Sequence, residues 1–144
     1  MKNEYAMILD QLTSLRKLRR KILEEINANL KDLKSSEFYV LNKICESSGE
    51  QTMSDLSDST GLSNALITAS VDILEDLKLV KRKRGPDRRS YVVNLTAKGM
   101  EKCREMEKLK NRSIESLFRN MTKEDLTELK ETLKKLNELM DKYS

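Results

Sequence analysis

A mainly α-helical fold with one small β-hairpin is what the sequence predicts, and three observations predict it. Apolar residues recur at spacings of three and four near both ends of the chain, the signature of amphipathic helices. Strand-type β-branched and aromatic residues are concentrated in one short segment, Tyr91-Val92-Val93-Asn94-Leu95. Breakers are scarce, with four Gly and one Pro in 144 residues. The length fits one compact domain with helical extensions. A charged share of 36% against 38% apolar implies much solvated surface.

Taken in order, the first element is a long helix from Tyr5, with Ile8, Leu12, Leu15, Ile22, Ile26 and Leu33 on a heptad seam. A short helix follows, capped by Ser35 or Ser36, with Glu37 in its first turn and Phe38, Leu41 and Cys45 on one face. The next short helix runs from about Met53 to Thr60 and is broken by Gly61. Ser63 caps a third, in which Ile67, Val71, Leu74 and Leu77 point inward and Asn64, Thr68, Asp72 and Glu75 outward. Short helix, glycine-bearing turn and second helix form a helix-turn-helix, whose propped second helix can enter a major groove about 12 Å wide.

Leu79-Val80 and a basic run come next, then a turn at Gly85-Pro86-Asp87 and the strand with Tyr91, Val93 and Leu95 on one face. A hairpin with a cationic tip directly after a helix-turn-helix makes a winged helix. Thr96 caps another helix, in which Met100, Cys103, Met106, Leu109, Ile114, Leu117 and Phe118 are the expected inward positions. Thr122 and Asp125, in capping-box spacing, open a last helix with the seam Leu126, Leu129, Leu133, Leu136, Met140 and Tyr143. Narrow seams at both ends are built to pack against other helices, and on a chain this small the partner can be a second copy.

Charge is unevenly placed. From Lys78 to Ser90 there are seven basic residues against one acidic, more net charge than the +4 of the whole chain. So short a cationic segment between ordered elements is an electrostatic footprint for a polyanion, most often nucleic acid.

Other functions are disfavoured by what the composition lacks. Histidine is absent, which removes the commonest general base and the commonest transition-metal ligand. No glycine-rich phosphate loop or serine elbow is present, and the carboxylates sit among lysines at helical spacing, as on solvated faces. No catalytic residues, metal ligands or cofactor are therefore expected. Cys45 and Cys103, 58 positions apart, form no CxxC pair and lie on apolar helix faces, so they read as inert core thiols and not as a disulfide framework. No apolar run approaches membrane length and the N-terminal stretch carries Glu4 and Asp10, so a cytoplasmic protein without membrane contact is expected.

From Leu33 to Met140 the residues resemble the MarR family of bacterial transcription regulators. Its wing reads Asp-x-Arg, an apolar strand, then Leu-Thr-x-x-Gly, and here Asp87-Arg88-Arg89, Val93 and Leu95-Thr96-Ala97-Lys98-Gly99 stand in those seats. Thr52-Met53-Ser54-Asp55-Leu56, Gly61-Leu62-Ser63 and the segment from Leu74 to Arg82 are similar to the family's helix-turn-helix helices. The resemblance implies a homodimer on a pseudo-palindromic operator in double-stranded DNA. Arg89 would enter the minor groove, steered by Asp87, while Lys81, Arg82, Lys83, Arg84 and Arg88 would meet phosphates. Ser63, Asn64 and Thr68 would face base edges. It also implies a small-molecule effector, of unknown identity, in a cleft between the dimer helices and the DNA-binding lobe.

Three departures stand out. No Lys or Arg lies between Ser63 and Leu77, Lys78 replaces a frequent glycine, and the wing is about one residue short. Without arginine on that helix, bidentate reading of guanine is lost, which biases selectivity toward DNA shape or A·T-rich sites. The expected organisation is a dimerisation helix over 1–34, a winged helix-turn-helix lobe over 35–99, and C-terminal helices over 100–144 that complete the dimer. Ile8, Leu12, Leu15, Leu126, Leu129, Leu133, Leu136 and Met140 would form the dimer contact. The expected function is a ligand-responsive repressor. The alternatives are a thiol-based redox regulator and a winged-helix protein-interaction module without DNA binding.

Overall fold

The computed structural model describes residues 3–47, 50–85 and 90–144. Helix α1 (Glu4–Leu30) starts at Asn3, whose side-chain oxygen accepts the Ala6 N–H, and ends at Lys31 with a left-handed φ of 62°. Helix α2 (Ser35–Glu46) begins one residue earlier than a serine cap would allow. Lys34 holds the cap position, and the Glu37 carboxylate reaches back to accept its N–H at 2.8 Å. Strand β1 (Gln51–Thr52), too short and polar to be read from periodicity, leads directly into α3 (Met53–Thr60). Thr52 and Asp55 exchange side-chain-to-backbone hydrogen bonds of 3.0 and 3.1 Å, a complete capping box. Gly61 then turns the chain at φ 74°, where a side chain would be strained.

Helix α4 (Asn64–Asp76) is capped by Ser63, whose Oγ accepts the Leu66 N–H at 3.2 Å. The wing consists of β2 (Val80–Arg84) and β3 (Tyr91–Leu95). β3 is the middle strand of an antiparallel sheet of order β1-β3-β2, with Arg82 opposite Val93 and Arg84 opposite Tyr91. Strict alternation fails on β3. Val92 is buried along with Val93, whereas Tyr91 is exposed. Helices α5 (Ala97–Phe118) and α6 (Lys123–Tyr143) start at Thr96 and Thr122, both acting as caps. The architecture among the described residues is thus six helices and a small three-stranded sheet, the winged-helix class the sequence predicts.

The core lies where α2, α3 and α4 meet the sheet and the C-terminal half of α1. Phe38, Leu41, Ile44, Leu56, Ile67, Val71, Leu74, Val80 and Val93 are buried there, joined by Ile26 and by Met106 of α5. Two short-range contacts lock the wing to α5. Thr96 donates from Oγ1 to the Lys78 carbonyl at 2.6 Å, and a Cβ added at Gly99 would sit 2.0 Å from the Leu79 carbonyl oxygen, so only glycine fits there.

Burial corrects several expectations. Leu77, Met100, Ile114 and Leu117, expected to point inward, are exposed, and α6 has no buried residue at all. Within one chain, α6 and the outer half of α1 bury none of their apolar residues fully. Cys45 and Cys103 are not free thiols. They form a disulfide that ties α2 to α5, with Cα atoms 5.7 Å apart, well inside the reach of such a bond. The two helices cross in space despite the 58 residues between the cysteines, which is why spacing alone hides the pairing. None of the described helices is long and apolar enough to cross a membrane.

Candidate nucleic-acid interface

Two elements meet at the candidate interface: α4, propped by α2 and α3, and strand β2 beside it. The inward stripe of α4, Ile67, Ser70, Val71 and Leu74, is buried, so the opposite face is presented to solvent. That face begins with Ser63 and Asn64 and continues through Ala65, Thr68, Ala69, Asp72 and Ile73, all exposed. The Ser63 hydroxyl already accepts the Leu66 N–H but keeps its own proton for an outside acceptor. Thr68 is the reverse case. It donates to the Asn64 carbonyl at 2.9 Å and keeps its lone pairs.

Strand β2 brings the basic run into register. Lys81, Lys83 and Arg84 are exposed and make no ion pair among the described residues. Arg82 differs. Its guanidinium bonds Asp72 of α4, lies 3.7 Å from a Glu75 oxygen and sits 5.9 Å from the Tyr91 ring centre. Its backbone N–H donates to Glu75 Oε2 at 3.0 Å. The Asp72 hydrogen bond, opposed by partial burial and reinforced by the charges of Asp72 and Glu75, raises its pKa above the ordinary arginine value. The sequence groups Arg82 with the exposed cations, because nothing in the spelling Lys81-Arg82-Lys83-Arg84 distinguishes a residue facing back to α4. Asp87, Arg88 and Arg89, with Pro86, lie outside the described residues. The hairpin on either side of them is closed by the Gly85 N–H donating to the Ser90 carbonyl at 3.0 Å.

Behind this surface the junction between α1, α2 and α5 is held by charges. Glu46 of α2 accepts from Arg19 of α1 at 3.2 Å and from Asn42 at 3.3 Å, and faces Lys110 of α5 at 3.7 Å. Lys102 of α5 binds Asp32 at 2.7 Å and Glu105 at 3.2 Å. Burial opposes the Lys102 charge, but the two carboxylates outweigh it and push its pKa up. Between α1, α2 and the turn after α3 lies an open cavity of about 490 Å³, rimmed by Arg16, Lys17, Arg20 and Lys43. The Tyr39 hydroxyl, part of its lining, is buried without a hydrogen-bond partner. The sequence carried no signal for this cavity beyond the cluster Arg16-Lys17-Leu18-Arg19-Arg20, which periodicity assigns to a solvated helix face.

The proposed dimer residues divide by exposure. Ile8, Leu12, Leu15, Leu133 and Met140 are exposed, and Leu126, Leu129 and Leu136 are half-buried.

Comparison with known proteins places this geometry. Residues 31–90 match the model of the MarR family. A transcriptional regulator from Thermotoga maritima is similar in structure, with 25% identity, a TM-score of 0.71 and coverage of 94% of this chain and 96% of that one. Wild-type MarR from E. coli, in its apo form, aligns with a TM-score of 0.73 at 23% identity, covering 94% and 98%. The transcriptional regulator BldR from Sulfolobus solfataricus aligns at 0.71 and 24%, covering 98% and 99%. No curated protein sequence matches the chain.

Proposed function

We propose that the chain is a member of the MarR family of transcriptional regulators, whose model its residues 31–90 match, and that it binds double-stranded DNA as a homodimer and represses transcription from a pseudo-palindromic operator. The observation that carries this reading is the cationic strand β2 beside α4, with Lys81, Lys83 and Arg84 unpaired among the described residues at the edge of an exposed helix face. In this reading α4 enters the major groove, with Ser63, Asn64 and Thr68 at base edges, and the wing carries Arg89 into the minor groove, steered by Asp87. Lys81, Lys83, Arg84 and Arg88 neutralise phosphates. Ala65, Ala69 and Ile73 offer methyl groups and no donors, which suits thymine and favours A·T-rich half-sites.

Dimerisation rests on area. The single chain exposes 11116 Å², whereas a compact monomer of this mass would expose roughly 7,600 Å². Most of the exposed large apolar residues lie within 1–34 and 100–144, and pairing two copies through these segments would sequester much of that excess. A dimer also sets two α4 helices one DNA turn apart, about 34 Å. The test is fluorescence anisotropy with an A·T-rich pseudo-palindromic duplex over a salt series. Affinity should fall steeply with salt as counterions are released, with a slope of about −0.9 for each phosphate neutralised. No binding even at low salt would favour the protein-interaction alternative and reject DNA binding.

The effector part of the reading is supported by the cavity between α1 and α2. Its cationic rim and the unpartnered Tyr39 hydroxyl suit an anionic organic molecule. Small carboxylates titrated into the protein–duplex complex should release DNA, and release should be lost in Arg16→Ala/Lys17→Ala. Equal release from that variant would remove the cavity from the account.

A second reading, thiol-based regulation, is favoured by the Cys45–Cys103 bond. Two small thiols in the cytoplasm would reduce it by exchange, leaving two protein thiols and one small-molecule disulfide, and a small disulfide would restore it. Both cysteines are half-buried, not sealed in the core, so the exchange has access. Duplex affinity should then differ severalfold between oxidised and reduced protein. Identical titrations would dismiss this form of control.

A further inference from the structure

Helix α4 is an unusual object to bring to a polyanion. Asp72, Glu75 and Asp76 lie exposed on its C-terminal half, and no basic residue of the helix offsets them. Two of the three are met from outside the helix by one side chain. Arg82, on the neighbouring strand, bonds Asp72 through Nη2, approaches Glu75 Oε1 at 3.7 Å, and pins Glu75 Oε2 a second time with its backbone N–H at 3.0 Å. Its side chain is 21% exposed, against 54% for Asp72, so the guanidinium is turned inward between helix and strand. Tyr91, across the hairpin, flanks the cation. The neighbours Lys81 and Lys83 point the other way along the pleat and are exposed.

We propose that Arg82 is a positioning residue for DNA recognition, which neutralises the acidic end of α4 and fixes that helix against the wing, and is not itself a phosphate contact. This rests on the DNA-binding reading above and assigns a role within it. The physics favours the clamp. Without Arg82, two carboxylates on the groove-facing helix would stand uncompensated, and at physiological salt they act over a screening distance of about 8 Å, enough to reach phosphate. An arginine fork can hold two acceptors on one helix in fixed directions, which a lysine point charge does not. Because the same residue is part of β2, its side-chain bonds to α4 also set where the unpaired cations of that strand lie relative to the reading face.

Duplex titrations on the full-length protein over a salt series test the assignment, run well below each variant's melting temperature so that only folded protein is compared. Arg82→Gln should lower affinity about tenfold or more. Losing that positive charge lessens the salt slope whichever role Arg82 has, so rescue by removing charge from α4 decides between them. Adding Asp72→Asn and Glu75→Gln to Arg82→Gln should recover affinity to within about threefold of wild type. The control Arg82→Gln/Asp76→Asn, which removes a carboxylate outside the clamp, should recover much less. Arg82→Lys gives a second, milder reading: the clamp requires an intermediate loss, whereas a phosphate contact would be satisfied by lysine. No recovery in the triple variant, equal recovery in the control, or wild-type affinity in Arg82→Lys overturns the proposal while leaving DNA binding intact. If wild-type protein binds no duplex, both fall. A melting temperature lowered in Arg82→Gln with unchanged affinity of the folded protein would mean a purely structural role and would also overturn it.

Discussion

The lobe from α2 to β3 and the helices that flank it solve the problem of burial in opposite ways. In the lobe, three short helices and a sheet close on one another, so that Phe38, Leu56, Ile67, Val71, Leu74 and Val93 all vanish from solvent inside a single chain. In α6 the apolar stripe is at least as regular, yet none of its residues is buried, and the outer half of α1 leaves Tyr5, Ile8, Leu9 and Leu12 in water. Periodicity by itself says that a helix has an apolar side, not what covers it. The difference teaches that the lobe closes its core within one chain, drawing in Ile26 of α1 and Met106 of α5, whereas the apolar stripes of the terminal helices stay open to solvent.

Breaking the lobe should have the largest effect. Gly99 sits where the start of α5 touches the strand leading into the wing, and an alanine methyl would overlap the Leu79 carbonyl, with no flexible side chain to move aside. Gly99→Ala should cost on the order of 3 kcal/mol or more, since backbone must shift to admit it. Circular dichroism melting reads this directly, and an unchanged transition would show that the α5–β2 contact is looser than its geometry.

The disulfide joins the two regions, and cutting it should come next. Closing a loop of this length restricts the unfolded chain by up to about 4 kcal/mol in the chain-entropy account. Reduction should therefore lower stability toward urea by a few kcal/mol while the lobe's secondary structure persists. Cys45→Ser/Cys103→Ser should match the reduced protein in its urea midpoint. A double variant as stable as the oxidised wild type would mean that ion pairs such as Glu46 with Arg19 and Lys110 hold the junction unaided.

Charging the terminal stripe should spare the lobe and split the assembly. Leu133→Glu/Met140→Glu places two carboxylates on the exposed seam of α6, where each apolar side chain would contribute about 1.5–3 kcal/mol if covered by a second copy. Sedimentation should show a monomer, with duplex affinity falling because two half-sites are no longer read together, while the thermal transition of the lobe stays within a few degrees. A wild-type sedimentation coefficient from this variant would place the dimer contact elsewhere.

Legibility in the sequence follows the same division. Features decided within one turn of chain were readable: the caps at Ser63, Thr96 and Thr122, the left-handed turn at Gly61, the inward stripe Ile67, Val71 and Leu74. Features decided by distant neighbours were not. Nothing local predicts that Cys45 meets Cys103, that two polar residues at Gln51–Thr52 join a sheet, or that Met100 faces out. The candidate interface was legible as charge, because seven cations in thirteen residues need no tertiary context. The division of labour inside that charge was not, because the partners of Arg82 lie ten and seven residues back, on another element. Local rules also mislead at α2, where serine propensity points to a cap but Glu37 reaching back to Lys34 decides the boundary.

The smallest expected effect concerns a residue that local rules disfavour. Lys78 ends α4 with φ 61°, in the left-handed region that non-glycine residues enter at a cost of about 1–2 kcal/mol. Its backbone is held on both sides. The Lys78 N–H donates to the Glu75 carbonyl at 2.9 Å, and its own carbonyl accepts from Thr96 at 2.6 Å, so the conformation is imposed by the junction of α4, wing and α5. Lys78→Gly removes the strained side chain but gives the unfolded chain more freedom, and the net gain should be about 0.5–1 kcal/mol. If the lysine charge also serves DNA binding, the variant will melt slightly higher and bind duplex slightly less tightly, with a salt slope smaller by about 0.9. If it serves only to end the helix, stability will rise and the titrations will superimpose. A lower melting temperature would mean that the left-handed turn is relieved by contacts of the lysine stem, and that the lobe tolerates no simpler residue there.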